Sequence, residues 1–187
     1  VAANYTAKWD GSSWSALGSG LDGFAFAMTV FDDGSGPALF VGGNFVIAGG
    51  VHSQSVAKWS GSNWTSLAGG MNNSAEVRAM TVFDDGSGPA LFVGGRFSAA
   101  SGVAVNQIAK WNGSSWSTMG NGVNEFVLAL TDYDDGNGLA LYAGGQFRSS
   151  PVGDSYLAKW GSPPGCVPPV TSFCFGDGTG TLCPCGN

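Results

Sequence analysis

Three acidic pairs, Asp32-Asp33, Asp84-Asp85 and Asp134-Asp135, are each followed by glycine and then by Ser35, Ser87 or Asn137. Carboxylates in a glycine-rich turn, with backbone carbonyls close by, are hard oxygen ligands, and the metal they suit is Ca²⁺. The spacing departs from a calcium loop, because the D-x-D-x-D-G run and its distal Glu are missing. The competing chemistry is a hairpin cap, in which the carboxylates accept hydrogen bonds from the N–H groups of their own turn. These six acids are the candidate metal site, a weak one for Ca²⁺, and no other cofactor is expected.

Seven tryptophans fall in two rows: Trp9, Trp59, Trp111 and Trp160, then Trp14, Trp64 and Trp116. Exposed indoles could stack on sugar rings. Indoles repeated at fixed intervals more often fill the space between packed units, since each buries some 150–250 Å². Gly42-Gly43, Gly94-Gly95 and Gly144-Gly145 lack the G-K-[ST] of a phosphate loop, so a bulge or a close backbone approach explains them better. The single histidine, His52, has no repeated counterpart and cannot by itself form a metal site or a base–nucleophile pair. Cys166, Cys174, Cys183 and Cys185 are spaced C-x7-C-x8-C-x-C, without the C-x2-C pairs of a zinc ribbon, and are disulfide candidates. Acids at equivalent turns and one histidine supply no catalytic constellation, so no enzyme is expected.

The elements that carry these residues repeat. FDDGSGPALFVGGNF (31–45), FDDGSGPALFVGGRF (83–97) and YDDGNGLALYAGGQF (133–147) are three copies of one stretch. Trp9, Trp59, Trp111 and Trp160 lie 50, 52 and 49 residues apart, which sets a unit of about fifty residues. In the second unit the apolar runs and turn residues predict strand a over Val77–Phe83, b over Ala90–Phe97, c over Gln107–Trp111 and d over Trp116–Met119, with a loose b–c loop. Asp10-Gly11, Asp33-Gly34, Asp85-Gly86, Asn112-Gly113 and Asp135-Gly136 supply the tight turns. The pattern predicts an all-β chain of β-propeller-type, four-stranded meander blades over residues 1–161: a c–d part, two full blades and an a–b–c part. This chain alone is not expected to close a ring, so the last blade is completed by another part of the polypeptide or by another chain, and an unpaired blade edge is a template for strand addition. Residues 162–187 read as a Pro/Gly/Cys-rich linker and disulfide-stapled tail leading to a further domain.

Composition narrows the partners. Glycine accounts for 32 of 187 residues and charged residues for 11%, which suits turns rather than solvated helices. Seven basic against thirteen acidic residues give a net charge of −6, which disfavours nucleic acid or an anionic membrane surface. No run reaches the roughly 18 apolar residues of a membrane span, so no membrane insertion is expected. A cysteine-free body with a cysteine-dense tail points to an oxidising, extracellular or cell-surface location.

The AKWDG..W..LG and VFDDGSG.ALFVGG.F motifs together resemble tandem-repeat segments of large secreted bacterial proteins. More distantly they are similar to kelch-type and fungal cortical-marker propellers, and the tail FCFGDGTGTLCPCGN resembles a Cys-rich segment that follows such repeats. The resemblance covers nearly the whole chain, implies a propeller architecture and transfers no catalytic residue. The function expected is therefore a secreted, non-enzymatic structural and interaction module that assembles with copies of itself or other domains of its protein, at the cell surface or in a fibre. The alternative is a propeller that binds glycans or a surface protein.

Overall fold

The structure, a computed structural model, describes residues 2–136, 138–148 and 156–160. The four cysteines and the 162–187 tail lie outside the described residues. Every regular element among the described residues is a strand, and all pairings are antiparallel. The chain is all-β, built of several small sheets.

β1 (Ala7–Trp9) and β2 (Trp14–Ala16) form a hairpin. β3 (Phe24–Asp32) and β4 (Pro37–Asn44) follow, then a miniature hairpin of β5 (Ile47–Ala48) and β6 (Val51–His52), then β7 (Val56–Trp59) and β8 (Trp64–Ser66). The first sheet has the order β3-β4-β7-β8. The next repeat runs β9 (Glu76–Asp84), β10 (Pro89–Arg96), miniature β11 (Ala99–Ala100) and β12 (Val103–Ala104), β13 (Ile108–Trp111) and β14 (Trp116–Thr118), with second-sheet order β9-β10-β13-β14. β15 (Val127–Asp134), β16 (Leu139–Gly145) and β17 (Leu157–Trp160) make the third sheet. The four strands expected per unit therefore form where the apolar alternation places them. The miniature hairpins do not show in the sequence, because two residues are too few to display a period; Gly49-Gly50 and Ser101-Gly102, all at positive φ, make the turns.

The sheets stack face to face in chain order. Each sheet has a leading face, with the tryptophans and Val77, Met80 and Val82 or their equivalents, and a trailing face with Phe40, Gly42 and Lys58 or theirs. The leading face of one sheet rests on the trailing face of the sheet before it. Phe40, Val56, Val77, Leu91, Val93, Trp111 and Trp116 share one buried cluster across the first and second sheets. Phe83, Phe92, Ile108, Val127 and Leu141 share the next, with Trp160 packed against it. A third cluster of Leu17, Leu21, Val41, Phe45, Ala57 and Trp64 joins the β1–β2 hairpin region to the first sheet.

The glycine pairs are explained twice over. An ideal Cβ at Gly43 would lie 1.9 Å from Phe24 O, and at Gly95 1.9 Å from Glu76 O, because a β-bulge in strand a presses a carbonyl against this position. A Cβ at Gly42 would lie 2.3 Å from Val77 Cγ1, and at Gly94 2.4 Å from Val127 Cγ1. In the first two pairs the first glycine thus makes room for a side chain of the next sheet, and in all three the second makes room for a neighbouring backbone, the Cβ of Gly145 falling 2.0 Å from Phe126 O. Replacing Gly94 by Val is expected to lower stability by about 1–3 kcal/mol through forced displacement of Val127 and Leu130, read as a lower denaturation midpoint. An unchanged midpoint would mean that the second and third sheets do not pack in this way.

Candidate functional site

The a–b turns carry the ion pairs that repeat from sheet to sheet, while Glu76 and Arg78 form a further pair on β9. Asp32 Oδ1 accepts hydrogen bonds from Gly34 N (2.9 Å) and Gly36 N (3.0 Å). Asp84 receives Gly86 N and Gly88 N, and Asp134 receives Gly136 N and Gly138 N, at the same distances within 0.1 Å. Gly34 and Gly36 sit at φ 95° and 98°, which a side chain would strain, so the turn needs glycine at both places. The first acid of each pair is thus a turn cap.

The second acid holds a lysine from strand c of its own sheet. Lys58 Nζ lies 2.6 Å from Asp33 Oδ2, Lys110 Nζ 2.5 Å from Asp85 Oδ2, and Lys159 Nζ 2.5 Å from Asp135 Oδ2. Ser35 Oγ and Ser87 Oγ donate to the same carboxylates and receive the lysine N–H. In the third sheet Tyr142 OH donates to Asp135 at 2.9 Å. Each ammonium also lies over an aromatic ring of strand b, Phe40 and Phe92 at 5.7 Å and Tyr142 at 5.5 Å. The first two pairs are largely buried, with side-chain exposures of 13% and 12% at Lys58 and Asp33.

These surroundings set the titrations. Burial pushes the Asp33 and Asp85 carboxyls up, but the lysine and serine hydrogen bonds outweigh it and leave both below the usual carboxylate range. The hydrogen bond to Asp135 raises Lys159 against its desolvation. Burial, then Asp135, raises Tyr142. At the c–d turn of the N-terminal hairpin, the backbone N–H groups of Ser13 and Ser12, with both hydroxyls, hold exposed Asp10 well below the carboxylate range.

The acidic pairs are not brought together: each serves its own sheet. Among the described residues no group of three His, Cys, Asp or Glu is placed to hold a metal ion. His52 lies on β6, with Gln54 Nε2 3.5 Å from its Nε2. The tryptophans form cross-strand pairs, Trp9–Trp14, Trp59–Trp64 and Trp111–Trp116, with ring centroids 5.4, 5.3 and 5.1 Å apart. Trp64 Nε1 donates to Leu17 O at 2.8 Å, and Trp116 Nε1 to Leu67 O at 3.1 Å, so strand d of each full sheet is pinned to the preceding unit.

One repeated device escaped sequence reasoning. Asp22 Oδ1 accepts from Val46 N and Ile47 N, Asn72 Oδ1 from Ser98 N and Ala99 N, and Asn124 Oδ1 from Arg148 N. Each polar side chain clamps the start of the b–c connection. The signal was a polar residue following Leu21, Met71 and Val123, but its type varies between repeats.

The lock predicts a pH dependence. Because Asp33 and Asp85 titrate lower folded than unfolded, their stabilisation is fully present above the unfolded carboxylate value of about 3.9 and is lost as pH falls through the folded values. The Asp33→Asn and Asp85→Asn variants should each be less stable than the parent by about 1–3 kcal/mol at neutral pH, and the gap should shrink as denaturation is followed below about pH 4. A gap constant with pH would show that the ion pairs do not supply it. Since hydrogen bonds already occupy both carboxylates of each turn, titration with Ca²⁺ is expected to leave the Tm unchanged, and a saturable rise would establish a metal site at these turns. Comparison of the chain with protein-family models, with curated proteins and with solved structures gave no match.

Proposed function

We propose that this chain is a non-enzymatic structural and interaction module of the β-propeller type, working outside the cell by assembling with copies of itself or with other domains of its own protein. The observation that carries this reading is the contrast between equivalent faces. Trp14 is 56% exposed where Trp64 and Trp116 are each 5% exposed, and Tyr133 is 59% exposed where Phe31 and Phe83 are 4% and 5%. The leading face at the N-terminal end, with Trp9, Trp14, Met28 and Val30, and the trailing face of the third sheet, with Tyr133, expose large apolar side chains whose counterparts between the first and second sheets, Trp111, Trp116, Met80, Val82 and Phe31, are buried or half-buried.

The propeller reading is supported by meanders of about fifty residues that stack face to face in chain order. The non-enzymatic reading is supported by acids and lysines that neutralise one another in each sheet. An extracellular setting is favoured by low charge and by the cysteine-dense tail. A second reading, glycan or protein binding, is favoured by the exposed Trp9–Trp14 pair, whose flat rings suit stacking on sugars.

Light scattering on the purified chain, coupled to size exclusion, should return a mass above that of the monomer, rising with concentration. A monomer at every concentration tested would sink the self-assembly reading. For the binding alternative, a glycan array is the discriminating measurement, and hits abolished by Trp9→Ala would move the function to recognition.

A further inference from the structure

We propose that the β1–β2 hairpin of a second copy of this chain docks on the β16 edge of the third sheet, in the place that β17 holds within its own chain, and completes that sheet with an outer strand. This deepens, and rests on, the assembling-module reading above.

Register makes the exchange conservative. β10 pairs with β13 as Leu91↔Trp111, Phe92↔Lys110 and Val93↔Ala109, and β13 continues into β14. β16 pairs with β17 in the same register, Leu141↔Trp160, Tyr142↔Lys159 and Ala143↔Ala158, and among the described residues no fourth strand follows. β1 carries the same tripeptide as the end of β17, Ala7-Lys8-Trp9 against Ala158-Lys159-Trp160, and is already paired to β2. With β1 in place, Lys8 meets Asp135 as Lys159 does, and Trp9 covers Phe83 and Phe92 as Trp160 does. The exchange adds β2 and buries Trp14.

Two further features fit the docked hairpin. The indole series Trp64 to Leu17 O and Trp116 to Leu67 O has Met119 O as its next acceptor, and the remaining strand-d tryptophan is Trp14. Gly144 is the other. An ideal Cβ there meets nothing nearer than 3.9 Å, whereas Gly42 and Gly94 are filled by Val77 and Val127 of the following sheet. The second copy's hairpin is fixed to its own first sheet through Leu17, Leu21 and Trp64. Docking therefore brings that sheet's Ala25 and Met28, the equivalents of Val77 and Met80, over Gly144, and buries Tyr133 with Met28 and Val30. Residues 1–160 of each copy then contribute three complete sheets and two such stretches contribute six, within the roughly four to eight that close a propeller. For the 187-residue chain under test the expected product is a ring of two copies with two identical junctions.

The test uses the full chain. Gly144→Val has open space in the isolated chain and should keep the circular dichroism and Tm of the monomer while blocking the junction. Trp14→Ala removes the anchor from the other side. Each variant alone should weaken dimerisation about thirty-fold or more, the effect of losing a buried aromatic anchor. Mixed together, the two should regain dimer mass by light scattering, because the Gly144→Val chain offers an intact hairpin to the intact edge of the Trp14→Ala chain. A benzoylphenylalanine in place of Lys8 should crosslink to residues 140–143 of the other copy, mapped by peptide mass. Dimers that persist undiminished in both variants would overturn this docking and leave self-assembly standing. A parent chain that is monomeric throughout would overturn both.

Discussion

The missing side chains at Gly42 and Gly94 set the distance between sheets. With no Cβ in the way, Val77 and Val127 enter the strand-b surface of the sheet before them, and the aromatic and aliphatic residues around them close into continuous cores. Interiors at native packing density leave no slack for one extra methyl at such a contact. Sheet spacing, burial of the tryptophans and the reach of their N–H groups to the previous unit all follow from this approach.

Around that contact the polar residues act as fasteners. One acid of each pair folds the a–b turn, and the other ties the turn to a strand some 25 residues further on, where the lysine ammonium also lies over an aromatic ring. Asp22, Asn72 and Asn124 fasten the b–c connection in the same spirit. The charges of the a–b turns are therefore spent inside each sheet, while junctions between sheets have apolar cores and polar contacts that include the indole N–H to carbonyl bonds, Ser55 Oγ to Ala75 O and the Arg78 guanidinium over the Phe26 ring. A chain organised in this way adds units by one kind of junction, and energies in such an array are close to a sum over units and their neighbours.

The same design accounts for the two ends of the stack. Internal faces are satisfied by neighbours of nearly identical sequence, so an end face carries the same hydrophobic chemistry without the neighbour, as Trp14 and Tyr133 do. Natural sheets usually blunt exposed edges with charge, proline or bulges. Here the bulge lies on strand a of every unit, internal or terminal, and serves the glycine contact rather than protecting an edge.

Much of this was legible beforehand. The fifty-residue period, the antiparallel hairpins and the four strands per unit follow from the spacing of Trp9, Trp59 and Trp111 and from turns such as Asp33-Gly34, because tight turns and alternation are local properties of the chain. The miniature hairpins and the Asp22, Asn72 and Asn124 clamps were not legible, being too short or too variable to repeat visibly. The sequence left two roles open for the acid pairs and two for the glycine pairs. Only tertiary structure decided that Asp33 faces Lys58 and that Gly42 faces Val77, since both depend on which residues distant in the chain are brought into contact. Which tryptophans are buried was settled in the same way: Trp14 and Trp64 stand in the same local sequence, and they differ in whether a neighbouring sheet covers them.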